Sequence, residues 1–468
     1  MNHLDYFSTA KHPVETCIVG SGGFGRSFVS QGQKMPLMHA RVAVDVKAAT
    51  AARCLTDVGI APDKVALCYA PEEAKAAWDA GKFIAAEDLG VVLALPLDVV
   101  VEATGNPEAG ARHARMAIEA GRHVVMVSKE VDSVVGPGLS LLARQNGKVV
   151  TPVDGDQPSL LIGLVTWAKT LGFEILAAGK SSEYDFVFDA ETGTLTSNGK
   201  EYALPTLASL MLLGEDVVAT VAERSRICAE LPQRIVADLC ELLVVANSTG
   251  MTPDRPDLHA PIARAAELAD VFAPREEGGI LDGTGVLDVF HCLRRPDEAS
   301  FAGGVFIIIR CEDGETWELL REKGHVVSRD GKRGVVHIPR HLLGLEAATS
   351  VLEAAVHGRS TGSQSPFPHF DLVARAARDF RAGSTLSMGG HHHTIEGVTA
   401  ELHPAKPVAA DNPAPFYLIS NCPLRRDVAA GSLITRDDVD IASGSELFAL
   451  RRMQDEHFLG NPGCKHEK

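Results

Sequence analysis

Six short segments of this chain carry groups suited to chemistry. Lys129 follows the apolar strand His123–Val127 and precedes Glu130. An ammonium at the end of a sheet strand suits a substrate hydroxyl or phosphate, or an alkoxide that forms as hydride arrives. Pro152-Val153-Asp154-Gly155-Asp156-Gln157-Pro158-Ser159 places two carboxylates where a strand ends and a helix begins. One of them satisfies a helix N-cap, worth about 1 kcal/mol, and the pair reads equally as oxygen ligands for Mg²⁺ or Mn²⁺. Ala178-Gly179-Lys180-Ser181-Ser182-Glu183 combines small residues, an ammonium and two hydroxyls, which makes either a phosphate cradle or a polar turn. Asp238 and Glu241 lie one helical turn apart and share a face, solvated or part of a metal or acid–base site. His391-His392-His393 follows Met388-Gly389-Gly390 and reads as a surface cluster or as a grip for phosphate or metal. Arg275 and Asp282 flank a glycine-rich stretch and suit either a loop or a site edge.

These groups need a scaffold, and the N-terminal segment supplies one. Cys17-Ile18-Val19 runs into Gly20-Ser21-Gly22-Gly23-Phe24-Gly25, and a second strand, Val42-Ala43-Val44, ends at Asp45. In this layout Gly20 permits the tight turn, Gly22 clears the pyrophosphate and Gly25 lets helix and strand pack. The helix start at Gly22, Gly23 and Phe24 then offers free N–H groups to phosphate. Asp45 suits the adenosine ribose and favours NADH, whereas Lys47, two residues on, would offset a 2′-phosphate. Asp98–Gly105 reads as a largely apolar strand that ends in small residues, so Thr104 and Gly105 fall on the same carboxyl edge as Lys129.

The chain has 468 residues, 45% of them hydrophobic, with a net charge of −16 and no dense basic run. That predicts a globular protein of several domains, with neither a nucleic-acid nor a membrane partner. Nine cysteines without a Cys-x-x-Cys pair read as free thiols in a cytoplasmic protein. The expected fold is α/β. Residues 1–153 form a Rossmann-type doubly wound parallel sheet, and 154–403 an α+β catalytic and dimerisation domain with an exposed hairpin over 184–202. After the proline-rich stretch 403–415, residues 404–468 form a small β-rich module.

Gly20–Gly25, Val101-Glu102-Ala103-Thr104-Gly105 and Ala120–Val125 leading to Lys129 resemble homoserine dehydrogenase. Ser128-Lys129-Glu130 and Pro152–Asp156 are similar to the Asn-Lys-Glu and Pro-Val-Asp-Ser-Glu segments of 1-deoxy-D-xylulose 5-phosphate reductoisomerase, and Leu424–Val439 resembles a SAF-type module. Together they resemble the reductoisomerase-like proteins of certain bacteria. That resemblance implies a homo-oligomeric, NADPH-dependent enzyme, with NADH as the alternative cofactor, acting on a sugar phosphate in isoprenoid precursor synthesis. It implies a divalent metal on Asp154, Asp156 and Glu241, an alkoxide held by Lys129, and a phosphate anchored by Lys180, Ser181 and Ser182. The rival readings are a homoserine or sugar-acid dehydrogenase on the same scaffold and a dinucleotide-binding regulatory protein.

Overall fold

Strands that are apolar on both faces have to be covered on both faces, and the N-terminal part of the chain is built from such strands. The computed structural model describes residues 2–390 and 393–460. Strands β1 (Val14–Val19), β2 (Met38–Val44), β3 (Val65–Cys68), β4 (Phe83–Ala86), β5 (Val99–Glu102), β6 (His123–Met126) and β7 (Val150–Pro152) form a sheet of seven, in the order β3-β4-β2-β1-β5-β6-β7. Every pairing in it is parallel. The winding direction reverses between β1 and β5, so the crevice beyond their carboxyl ends is where a dinucleotide lies in such sheets.

The chain divides into two compact units. The first joins the residues up to Ser159 with Leu342–Thr399 and the stretch from Pro404 onward; the second comprises Leu160–His341 and Ala400–His403. This grouping differs from three consecutive blocks for a physical reason. The helix Ala348–His357 carries an apolar face, and its Ala348, Val351 and Leu352 pack into one core with Ile18, Val101 and Val125 of the parallel sheet. The C-terminal stretch is tied in similarly. On the helix Glu446–Phe458, Gln454 Oε1 accepts from the Gly138 N–H at 2.9 Å. The fully buried Arg451 reaches the Asp371 carboxylate at 2.6 and 2.9 Å.

In the second unit, β8 (Ile175–Ser181) is followed by the meander β9 (Phe186–Asp189), β10 (Thr194–Ser197) and β11 (Lys200–Ala203). Short β12 (Thr252–Pro253) and β13 (Ile262–Ala263) precede the long β14 (Val286–Arg294), β15 (Val305–Arg310) and β16 (Arg333–Ile338). They form a mixed sheet ordered β11-β10-β9-β14-β8-β15-β16, with β12 and β13 added beside β14. Helix Val236–Thr249 packs against β14. No helix among the described residues is long and apolar enough to cross a membrane.

The turn after β1 leaves no space for a side chain at Gly20 or Gly25. Gly20 sits at φ +97°, and a Cβ there would strike the Ala103 carbonyl; one on Gly25 would strike the Gly20 carbonyl. Gly23 faces open space. Gly25→Ala is therefore expected to lower the unfolding free energy by about 1–3 kcal/mol, whereas Gly23→Ala changes it by less than about 0.5 kcal/mol. Denaturant titration of both variants checks the contrast.

Candidate active site

At the β1/β5 crevice the helix Gly23–Gly32 begins without a side-chain cap, so its first N–H groups remain available to an anion. Asp45 at the end of β2 is turned toward this start: its Oδ2 accepts from the Ser21 N–H at 2.8 Å and from the Ser21 hydroxyl. Its Oδ1 accepts from the Val46 N–H at 2.8 Å, and Lys47 is exposed nearby in sequence. Beyond β5, Thr104 donates its N–H and hydroxyl to Oε1 of the fully buried Glu102, at 3.2 and 2.6 Å. The Gly105 N–H donates to Ser128 Oγ at 2.9 Å, which ties the ends of β5 and β6 together just before half-buried Lys129.

The carboxylate loop after β7 belongs to the same unit. Asp154 Oδ1 accepts from the Ser159 hydroxyl at 2.5 Å and Oδ2 from the Thr349 hydroxyl at 2.6 Å, while its own N–H donates to Ser350 Oγ at 2.7 Å. Asp156 Oδ1 accepts from the Gln157 N–H at 2.9 Å. Asp154 thus clamps the start of one helix to the start of another, as a capping carboxylate does.

Lys180 of β8 is 2% exposed. Its Nζ donates to Asp238 Oδ1 at 2.6 Å and to Glu241 Oε2, and the Ser182 hydroxyl donates to Asp238 Oδ2 at 2.9 Å. The one-turn spacing on helix Val236–Thr249 brings both carboxylates to one ammonium. Burial pushes the Asp238 carboxyl up, but the Lys180 ammonium and the Ser182 hydroxyl outweigh it and hold it below the usual range. His291 lies near this group with Nε2 2.8 Å from the Gln233 carbonyl, and burial pushes its pKa down. His291 Nδ1 and the Ser181 hydroxyl, both buried, have no hydrogen-bond partner among the described residues.

Two expectations change here. A buried ammonium held by two carboxylates is a group of net negative charge, so Lys180 and Ser182 do not form a phosphate cradle. Glu241 accepts from Lys180, and both Asp154 oxygens already accept hydroxyls, so these carboxylates act as pairing and capping groups rather than as open positions for a divalent cation. Arg275 pairs with Asp282, whose N–H donates to Asp254 at 2.8 Å, and Asp254 also faces His259 Nε2 at 2.7 Å. That network closes a loop. His391 and His392 lie outside the described residues, but His393 does not. Its Nδ1 is 2.6 Å from Glu130 Oε1 beside Gly105.

Residues 236–347 match the family described as "Oxidoreductase DRL, catalytic domain". No curated protein matches the chain. Among solved structures, an NAD-binding protein from Listeria innocua is 23% identical over 38% of this chain and 46% of its own, with a TM-score of 0.24. GenD2 from gentamicin A biosynthesis, in complex with NAD, is 14% identical over 75% of this chain and 88% of its own, TM-score 0.33. A DOX-P reductoisomerase in complex with magnesium is 16% identical over 36% of this chain and 46% of its own, TM-score 0.27. The chain therefore spans about half the length of the first and last of these, and at such scores none of the three carries weight for function. Residues 236–347 thus match an oxidoreductase catalytic domain, and the glycine turn lies at the switch point of the parallel sheet.

Sequence reasoning missed Glu102, Ser128 and Thr349. Glu102 was visible as an acid closing an apolar strand, whereas Thr349 lies 195 residues from Asp154 and carries no local signal. Lys180→Met would leave two carboxylates buried without their cation, so a loss of about 3–5 kcal/mol is expected. Denaturant midpoints measure it, and a stability equal to wild type would refute the buried-pair description.

Proposed function

We propose that the chain is an NADPH-dependent reductoisomerase that converts 1-deoxy-D-xylulose 5-phosphate to 2-C-methyl-D-erythritol 4-phosphate, with NADH as the alternative reductant. The reading is carried by the match of residues 236–347 to the DRL catalytic domain, because the helix inside that stretch supplies both carboxylates that hold Lys180. The segment resemblances around Lys129 and Asp154 support it.

The reaction has two halves. In the rearrangement a hydroxyl gives up its proton, one carbon–carbon bond breaks and another forms, and an aldehyde results with no net change of electrons. We assign the proton transfers of this half to the Lys180, Asp238 and Glu241 group, whose buried ammonium and carboxylates are linked by hydrogen bonds. In the reductive half the nicotinamide, when bound, supplies a hydride to the aldehyde carbon, and a proton completes the alcohol. Here the open N–H groups at Gly22–Gly25 receive the pyrophosphate, Asp45 and Lys47 address the adenosine ribose, and the Lys129 ammonium stabilises the alkoxide.

A second reading, plain alcohol–carbonyl dehydrogenation of a homoserine-like or sugar-acid substrate, is favoured by the hydrogen-bonded state of Asp154 and the pairing of Glu241. It needs neither a rearrangement nor a metal.

NADPH oxidation by the purified protein with 1-deoxy-D-xylulose 5-phosphate, with the product identified by mass and NMR, is expected to yield the branched alcohol. Activity confined to homoserine or a sugar acid would replace the first reading with the second. Removing the Asp45 charge by Asp45→Ser is expected to raise the NADPH-to-NADH ratio of kcat/KM about tenfold, the scale of one like-charge contact near a partly exposed site.

A further inference from the structure

The described hairpin formed by Met388–Gly389 and Thr394–Ile395 places His393 in a left-handed turn at φ 47°. Its imidazole lies directly on Gly105, past the carboxyl end of β5, where any Cβ would strike the ring. Nδ1 is 2.6 Å from Oε1 of Glu130, whose side chain is 7% exposed, while the imidazole side chain is 32% exposed. Glu130 follows Lys129 at the start of the helix Lys129–Gln145, and Gly105 is tied to Ser128, which precedes that helix. All of these residues belong to the first unit. A histidine anchored by a buried carboxylate through Nδ1 keeps Nε2 for chemistry, and this one stands at the edge where the cofactor crevice ends.

We propose that His393, oriented by Glu130, donates the proton to the carbonyl oxygen that hydride transfer reduces at this edge. The proposal rests on the oxidoreductase reading. The hydride pair enters the carbonyl carbon, the C=O π pair moves onto oxygen, and the Nε2–H bond gives its proton to that oxygen. The imidazole is left neutral with Nδ1–H on Glu130 and regains a proton from solvent. Lys129 and His393 then divide the work, the ammonium stabilising the charge and the imidazolium discharging it. Glu130 is a positioning residue.

Among the described residues the charged groups that face the ring are Glu130 and Lys129. The hydrogen bond to Glu130 raises the imidazole pKa against the opposing effects of burial and Lys129. A general acid acts below its pKa, so the rate of reduction should be full at low pH and fall as pH rises through it. In Glu130→Gln the supporting charge is lost, the pKa drops, and that falling limb moves to lower pH.

The test uses NADPH with 2-C-methyl-D-erythrose 4-phosphate, an aldehyde that needs reduction but no rearrangement. His393→Gln is expected to lower kcat about 100-fold with the NADPH dissociation constant, read by fluorescence, unchanged. The imidazole resonances lost in His393→Gln should titrate in the cofactor-free wild type above the ordinary histidine range and shift downward in Glu130→Gln. Activity of His393→Gln within threefold of wild type overturns the proposal, and so does a pH limb that Glu130→Gln leaves in place. If wild type oxidises no NADPH with this aldehyde, with 1-deoxy-D-xylulose 5-phosphate or with homoserine semialdehyde, the oxidoreductase reading falls and takes the proposal with it.

Discussion

Backbone meets backbone at the end of β1, and the reactive edge of the first unit depends on that contact. The Gly20 N–H donates to the Val44 carbonyl at 2.9 Å and the Ala103 N–H to the Val19 carbonyl at 2.8 Å, so three strands finish in one knot. Gly20 presses on Ala103 and Gly25 on Gly20, with no room for a Cβ at either. Close packing of this kind transmits position rather than absorbing it. Because β2 is fixed by the same knot, Asp45 reaches across to Ser21; because β5 is fixed, Glu102 receives Thr104, and Gly105 arrives within reach of Ser128 and His393. One extra methyl at Gly20 or Gly25 would disturb the phosphate site, the ribose acid and the reacting edge together.

The second unit is governed by buried charge. Arg224 meets Glu267 in a two-pronged pair at 2.6 and 3.0 Å, one cation to one anion, and such a pair fixes structure. Lys180 is arranged differently, with two carboxylates gathered on one ammonium, a hydroxyl donating to one of those carboxylates, and His291 close by. Taking an unbalanced charge out of water is expensive, and apolar replacements are often as stable.

Much of this was legible from local pattern. Continuous apolar strands, the glycine spacing and the terminal acid announce the parallel sheet and its switch point, because these features depend on neighbours only a few residues away. What local pattern does not carry is partnership. Asp154 looks like a free ligand until Thr349 takes one of its oxygens, Lys180 like an exposed cradle until the helix 58 residues on covers it, and His393 like a surface residue until Glu130, 263 residues away, orients it. The return of Ala348–His357 to the first core was hidden for the same reason: an apolar helix face does not name the surface it covers.

Glu130 holds His393 by a hydrogen bond and follows Lys129 in sequence, which puts two cations and one carboxylate at this edge. Two cations side by side repel, and Lys129 lowers the affinity of the His393 ring for its proton. Glu130 more than offsets this through a hydrogen bond to the opposite ring nitrogen, so the proton is held but held under tension. A new alkoxide at the crevice edge adds a second negative charge on the Nε2 side, where the ammonium would stabilise it. The proton then moves from a ring between one anion and one cation toward the stronger base, and the field of Lys129 falls on both ends of that transfer. Removing the ammonium would strengthen the imidazole's hold on its proton and weaken the stabilisation of the alkoxide, two opposed changes that a single substitution at Lys129 does not separate. The carboxylate is the clean variable: Glu130 acts on the histidine and on nothing that is consumed, so the edge is tuned through residue 130 rather than through either cation.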